Sequence, residues 1–411
     1  MERVSPRMRT SFASPAVVPE RSCTAPQERD PGFALYVHWP FCRHKCPYCD
    51  FNSHVRAAVD QRRWRRALLA ELDHFGARTE GRILRAIFFG GGTPSLMSAA
   101  TVAAVIARAR DWWRFEPAIE ITLEANPTSA EAARFEAFAK AGVNRLSLGV
   151  QALEEGALRD LGRQHGVAEA LHALALAREI FPRVGFDLIY ARPGQGLASW
   201  RDELQRALEL AVGHLSLYQL TIEPGTHFFT LARQGRLELP DEDLGAALFD
   251  LTQELCEAAG LPAYEISNHA RPGEESRHNL VYWRYGDYVG IGPGAHGRLT
   301  LGARRVATRA RRLPERWLET VEREGHGQLE EEELAPADRA TEYLLMGMRL
   351  AEGVELSRLA ALAERPWEAV LDVGAVRLLE AEGLLQCAHG SLRTTAAGRR
   401  RLDAVIRGIL R

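Results

Sequence analysis

The chain of 411 residues almost lacks lysine: Lys45 and Lys140 are the only two, so 50 of its 52 basic side chains are arginine. With 54 acidic residues interleaved among them, the formal net charge is −2. That balance offers no electrostatic case for nucleic acid or an anionic membrane as the main partner. The arginine excess reads as a compositional bias rather than a phosphate-binding device, because acids accompany it throughout. No apolar run approaches the roughly 18 residues that a membrane span requires. Six cysteines are too sparse for a disulfide scaffold. A hydrophobic share of 46% argues against a disordered chain. At roughly 150 residues per domain the length allows two or three domains with a large core. Cysteine is abundant in one place only, where three of the six fall within eight residues.

Residues 1–32 carry Pro, Ser, Thr and Arg without period and read as a disordered tail. Arg3, Arg7 and Arg9 are the kind of residues an organellar presequence contains, whereas Glu2, Glu20, Glu28 and Asp30 argue against one. With no long apolar segment near the start, the expected location is cytoplasmic. From Phe33 onward, short apolar runs that suit buried strands occur at Phe33–His38, Leu84–Phe89, Ile119–Leu123, Arg145–Val150, Val184–Tyr190 and His214–Leu220. Between them apolar residues recur at helical spacing, as in Trp64, Leu68, Leu69 and Leu72, then Val102, Val105 and Ile106. Strand and helix alternating in this way predict parallel strands joined by right-handed crossovers. The expected class is α/β, a partial (β/α)6 barrel or doubly wound sheet over 33–224, with its chemistry at the C-terminal strand ends. Residues 225–335, rich in aromatics, Gly and His, read as an irregular extension packed on that core. Residues 336–411 follow the order helix, helix, short hairpin, helix of a winged-helix-like α domain. Without a basic, base-reading face, that domain is expected to pack or to act as a lid rather than to bind DNA.

Cys42, Cys46 and Cys49 form a C-x3-C-x2-C array just past the first expected strand. Soft thiolates on one short loop favour an iron–sulfur cluster or zinc. A structural zinc site normally has four protein ligands and would have to recruit His44, His54 or another residue. A cubane cluster held by three thiolates leaves one iron open. Three unrelated core cysteines are a poor reading, because Pro40, Arg43, Lys45 and Pro47 make the loop polar. Further motifs stand at the expected strand ends: Gly90-Gly91-Gly92-Thr93-Pro94, Glu124-Ala-Asn-Pro127, Gly149-Val-Gln151 and Asp187-Leu-Ile-Tyr190. Arg163 sits in Leu-Gly-Arg-Gln-His. Each alone fits a tight turn, a helix cap or a surface residue; together they gather Gly, Glu, Gln, Arg and Asp where a barrel presents a site.

With Tyr48 before the third cysteine, the triplet resembles that of the radical S-adenosylmethionine (SAM) enzymes. In that superfamily three cysteines hold a [4Fe-4S] cluster, the amino and carboxylate groups of SAM chelate the open iron, and an electron from the cluster cleaves the sulfonium. The resemblance implies that Gly91, Gly92 and Thr93 hold the methionine amino group. It implies SAM contacts for Tyr36, Glu124, Gln151, Arg163 and Asp187 as well, in the pattern of the coproporphyrinogen dehydrogenase branch. That branch usually continues Asp-Leu-Ile-Tyr with Gly-Leu-Pro, whereas Ala191, Arg192 and Pro193 follow here, so φ is expected to stay negative at Ala191. The branch's oxygen-independent dehydrogenases typically carry another cysteine two residues after the triplet, where this chain has Phe51. Cys49-Asp-Phe-Asn-Ser53, His278-Asn-Leu-Val-Tyr-Trp283 and Gly290-Ile-Gly-Pro-Gly-Ala-His296 instead resemble the HemW family of heme chaperones. That resemblance implies binding of heme or a porphyrin for delivery to acceptor hemoproteins, an electron donor for the cluster, and His278 as an axial heme ligand. The ordinary alternative is that His278 is a hydrogen-bonded loop residue and that Tyr282 and Trp283 are core. The enzymatic alternative is oxygen-independent oxidative decarboxylation of coproporphyrinogen III.

Overall fold

The structure, a computed structural model, describes residues 30–411. Residues 1–29 of the expected tail, with Cys23, lie outside the described residues. The six expected strands form as β1 (Phe33–Trp39), β2 (Ile83–Gly91), β3 (Arg114–Ala125), β4 (Arg145–Gln151), β5 (Arg183–Tyr190) and β6 (His214–Gln219). Each pairs in parallel with the next, from Ala34↔Ala86 through Tyr190↔Gln219, and they lie side by side in chain order. Helices on the connections cover them, which makes the run a partial (β/α)6 barrel. In β1 the residues Phe33, Ala34, Leu35, Val37 and Trp39 are all at most 2% exposed. Burial on both faces is why such strands read as unbroken apolar runs.

The helices follow their local signals. Helix α1 (Gln61–Arg78) starts where the Asp60 carboxylate accepts the Arg62 and Arg63 N–H groups at 3.0 Å. It buries Trp64, Leu68, Leu72 and Phe75 along one stripe, each contributing about 1.5–3 kcal/mol. Helix α2 (Ala99–Trp112) is capped by Ser98 and buries Val102, Val105 and Ile106. The Glu71 carboxylate on α1 is fully buried and accepts the Gly292 and Gly327 N–H groups at 2.7 Å and the Trp317 indole N–H. Burial pushes it up to about 7 against those donors. It fastens two distant loops to one helix.

The stretch after Pro224 is more regular than its composition suggests. It adds β7 (Asn268–Ala270) antiparallel to β6 at one edge. At the other edge β8 (Asp287–Ile291) pairs in parallel with β1, followed by β9 (His296–Leu301), β10 (Arg304–Ala310) and β11 (Gln328–Glu333) in an antiparallel meander. The result is one sheet of eleven strands. Helix α3 (Arg277–Trp283) carries the His278–Trp283 motif across β1 and β2. Toward the C-terminus, α4 (Pro336–Gly347), α5 (Leu356–Ala363), α6 (Val373–Ala381) and α7 (Leu402–Ile409) enclose a second apolar cluster around Leu344, Leu359, Leu371 and Ile409. Between them lies the hairpin of β12 (Leu385–Ala388) and β13 (Ser391–Thr394). Its two-residue loop, His389-Gly390, has positive φ at both positions, 53° and 76°, as a tight hairpin turn requires.

Candidate functional site

The cysteine loop leaves β1 through Phe41–Cys42, a two-residue strand paired in parallel with His54–Val55. That small clamp closes a loop, within which Cys49 N–H donates to the Cys46 carbonyl at 3.2 Å. Cys42, Cys46 and Cys49 are all free thiols and half-buried. Burial raises the thiol pKa of Cys42 and Cys49. Among the described residues, no three His, Cys, Asp or Glu side chains converge on a point that could hold a single metal ion. Neither His44 nor His54 completes a zinc site there.

The glycine turn abuts this loop. Gly92 N–H donates to Trp39 O at 2.7 Å, and a side chain at Gly92 would meet Phe41 O at 2.9 Å and Cys42 Sγ at 3.0 Å. Gly91 has φ of +114° and no room against the His38 ring. Thr93 donates from N–H to Phe41 O at 2.9 Å and from Oγ1 to Cys42 Sγ at 3.3 Å. Asn126 Nδ2 donates to Thr93 Oγ1 at 3.3 Å, and Arg163 Nη2 donates to Asn126 Oδ1 at 2.6 Å and to Gly149 O at 2.9 Å. Arg163 Nη1 then reaches Cys46 Sγ and the Tyr48 hydroxyl, each at 3.4 Å. A polar chain therefore runs from Cys42 to Cys46 across the pocket wall. Arg163 Nε, buried, has no hydrogen-bond partner, a donor left for an anionic ligand group.

Ten of the twelve residues expected from sequence line this one cavity of about 430 Å³: the three cysteines, Gly91, Gly92, Thr93, Glu124, Gln151, Arg163 and Asp187. Enclosure raises Glu124 to about 8, with Asp187 adding repulsion, and raises Asp187 to about 6. Two carboxyls strained toward protonation face a cavity that suits a cationic ligand. Gln151 presents its amide from a left-handed backbone, φ 74°, at a register shift ending β4. Ala191 overturns the expectation of a negative φ: it stands at +56°. The turn after β5 is fixed by its neighbours, with Leu220 N–H donating to Tyr190 O and Arg192 pairing with Glu203 at 2.5 Å, so alanine accepts the conformation glycine would take freely. Asn126 and Ser147, which lies 3.4 Å from Asp187, also belong to the wall. Asn126 stood in the Glu-Ala-Asn-Pro motif and could have been chosen with Glu124; Ser147 carried no signal.

The other two expected residues stand elsewhere. Tyr36 lines a second, adjoining cavity of about 740 Å³ with His38, Trp283, Tyr288, His296 and Arg349, and donates or accepts at 3.0 Å with His38 Nδ1. Phe51, Gly91, Glu124 and Tyr218 line both cavities. His278 lines neither. It is 2% exposed, stacked on Phe88 at 4.5 Å and on Tyr36 at 6.0 Å, with Tyr282 edge-on at 4.4 Å. The expected axial ligand thus stands outside the lining of both cavities, its Nδ1 buried without a hydrogen-bond partner and its backbone N–H tied to Glu120 Oε1 at 3.2 Å.

Fold and site together define an α/β barrel protein with three free cysteines at its C-terminal strand ends, beside a pocket lined by Arg163, Glu124 and Asp187. The sequence family described as the Radical SAM superfamily matches residues 36–207, and the HemN C-terminal domain matches residues 334–401. A radical S-adenosyl methionine domain-containing protein 1, mitochondrial, from Bos taurus is 39% identical over 94% of this chain and 89% of its own length. The heme chaperone HemW of Escherichia coli is 44% identical over 67% of this chain and 72% of its own length. That of Mycobacterium tuberculosis is 36% identical over 94% and 96%. The solved structure of coproporphyrinogen III oxidase (HemN) from Escherichia coli superposes with a TM-score of 0.75 at 23% identity, over 93% of this chain and 91% of that one. The chain belongs to the radical SAM superfamily, in its HemN/HemW-like branch. Membership implies a [4Fe-4S] cluster and SAM. Among the described residues no helix is long and apolar enough to cross a membrane.

Proposed function

We propose that this protein is a cytoplasmic heme chaperone: it binds a [4Fe-4S] cluster, SAM and heme, and delivers the heme to acceptor hemoproteins. The observation that carries the reading is Phe51. It occupies the place where the dehydrogenases of the branch typically have a further cysteine, and it is 59% exposed between the two cavities. The identity to HemW heme chaperones supports the same conclusion. In this proposal Cys42, Cys46 and Cys49 hold the cluster. Arg163 takes the carboxylate of SAM through its orphaned Nε–H, since a guanidinium suits a carboxylate. Glu124 and Asp187 face the positive charge of SAM, Gln151 offers an amide to its polar groups, and the Gly91–Thr93 backbone gives close approach. When bound, cluster and SAM supply one-electron chemistry fed by a separate electron donor.

The test is to reconstitute the full chain anaerobically and incubate it with SAM, reductant and coproporphyrinogen III, while hemin binding and transfer to an apo-hemoprotein are followed in parallel. Heme binding and transfer without protoporphyrinogen is the expected result. Formation of protoporphyrinogen would overturn the chaperone reading in favour of oxidative decarboxylation.

A further inference from the structure

The second cavity contains the features a porphyrin needs, but not at the residue the motif suggests. Three imidazoles lie in or beside it. His38 is committed at both nitrogens, to the Tyr36 hydroxyl and to the Asn52 carbonyl, each at 3.0 Å. His278 is 2% exposed and does not line the cavity. His296, at the start of β9, is exposed and lines the cavity, and its ring makes no hydrogen bond among the described residues. Burial of part of the ring, with Arg298, Arg309 and Arg312 nearby, holds it below its ordinary value, so at neutral pH the ring is uncharged with a lone pair to give.

The same cavity holds an unsatisfied cation. The Arg349 guanidinium lies 5.2 Å over the Trp283 ring, and its Nε is buried with no hydrogen-bond partner. Glu265 is close enough to interact electrostatically but receives no hydrogen bond from it. The Trp283 indole N–H is likewise buried and unpartnered. Tyr282 and Tyr288, edge-to-face at 4.3 Å, continue the aromatic wall. At about 740 Å³ the space lies within the usual range for pockets holding large organic ligands. Flat aromatic walls, one neutral imidazole without a hydrogen bond and a guanidinium with an unpartnered N–H match a planar macrocycle with a metal at its centre and carboxylates at its edge.

We propose that heme occupies the cavity between Tyr36, Trp283 and Arg349, with the His296 imidazole as axial iron ligand and Arg349 as the anchor of a propionate. The inference rests on the heme-delivery reading and assigns its site. Coordination uses the lone pair of the neutral ring, so no proton is released.

Hemin titration of the full chain, followed by the Soret band, tests it. Wild type binds hemin with a displaced band. H296A moves the band and weakens binding by about tenfold or more, and millimolar imidazole restores the wild-type band position, which a misfolded variant would not allow. R349Q leaves the band in place and weakens binding about tenfold, as expected for loss of a charge-assisted hydrogen bond. If H296A keeps both band and affinity, the ligand assignment is overturned; if R349Q keeps its affinity, the anchor is overturned. Failure of the wild-type chain to bind hemin would overturn the heme-delivery reading itself, and the site with it.

Discussion

In the proposed SAM site the two raised carboxyls make binding pH-dependent, with a sign set by the direction of their shifts. Glu124 stands at about 8 and Asp187 at about 6 in the ligand-free chain, burial being the larger cause for both. A cation seated against them favours their ionised forms, so binding must expel the protons they carry. Affinity is therefore full above about pH 8 and falls as the pH drops through both values. For one group near 8, going from about pH 8.5 to about pH 6 weakens binding by up to about a hundredfold, or about 3 kcal/mol. Isothermal titration of the anaerobic, cluster-loaded protein with SAM measures this directly, with the cluster absorbance checked at each pH. In Glu124→Gln most of the slope vanishes and affinity stays near the acid-side level of the wild type. Stability carries the opposite sign. A raised carboxyl contributes most to the ligand-free fold below its unfolded value, and that contribution is lost as the pH rises toward 8. The stability difference between wild type and Glu124→Gln should shift toward the variant over the same interval. A SAM affinity that is flat from about pH 6 to 8.5 would refute the cation-facing role of these residues.

Arg163→Met strands the acceptors on Asn126 and Gly149 and removes the unpartnered Nε–H. SAM affinity should fall about tenfold or more, since a charged hydrogen bond is worth about 1.5–3 kcal/mol, while iron content stays at the wild-type level in elemental analysis. His278→Phe keeps the ring stack on Phe88 and removes a buried, unpartnered Nδ1, so it should fold and keep the wild-type Soret band. His278→Ala should lose about 3 kcal/mol in chemical denaturation from the cavity it opens; a band that vanishes in His278→Phe would restore that residue as the ligand. Ala191→Gly relieves a left-handed strain of about 1–2 kcal/mol but gives up a buried methyl and adds unfolded-state freedom, about 1–2 kcal/mol together, so its denaturation midpoint should barely move. Ala191→Val, β-branched at φ 56° and 3% exposed, should cost about 2 kcal/mol or more by the same measurement.

What could be read from sequence was set by how a segment is buried. Strands β1 to β6 lie between helices, so both faces are apolar and the runs announce themselves. Strands β10 and β11 carry Arg304, Arg309, Glu330 and Glu333, which form the exposed cross-strand ion pairs Arg309–Glu330 and Arg304–Glu333. Charge on that face hides the period. Some of the arginines set aside as composition are in fact structural: Arg183 binds Glu120, and Arg305 binds Asp287 at 2.6 Å where Asp287 is 5% exposed. Such long-range pairs have no sequence signature. The residues that line the cluster-side cavity were legible because their motifs stand at or just past strand ends. A motif gives residue types but not the direction each side chain faces: on helix α3 the same seven residues place His278 inward and Trp283 at the cavity.

Backbone strain in the barrel is concentrated at this same rim. Among the described residues, the non-glycine positions with positive φ inside β1 to β6 and their immediate turns are Gln151 and Ala191, at the ends of β4 and β5. Gly91, at φ +114°, ends β2. A left-handed non-glycine residue costs about 1–3 kcal/mol and persists only where its surroundings over-determine it. At Gln151 the surroundings are a register shift and the Gly149 carbonyl held by Arg163. A side chain at Gly149 would sit 2.8 Å from the Gln151 amide nitrogen and displace it. Gly149 must therefore be small for Gln151 to point where it does, and Arg163 must hold Gly149 for the bulge to keep its shape. The guanidinium that meets Cys46 thus also sets the neighbouring Gln151 amide. Removing Arg163 should disturb two walls of the pocket at once, so the effects of Arg163 and Gln151 substitutions on SAM affinity cannot add as independent sites would.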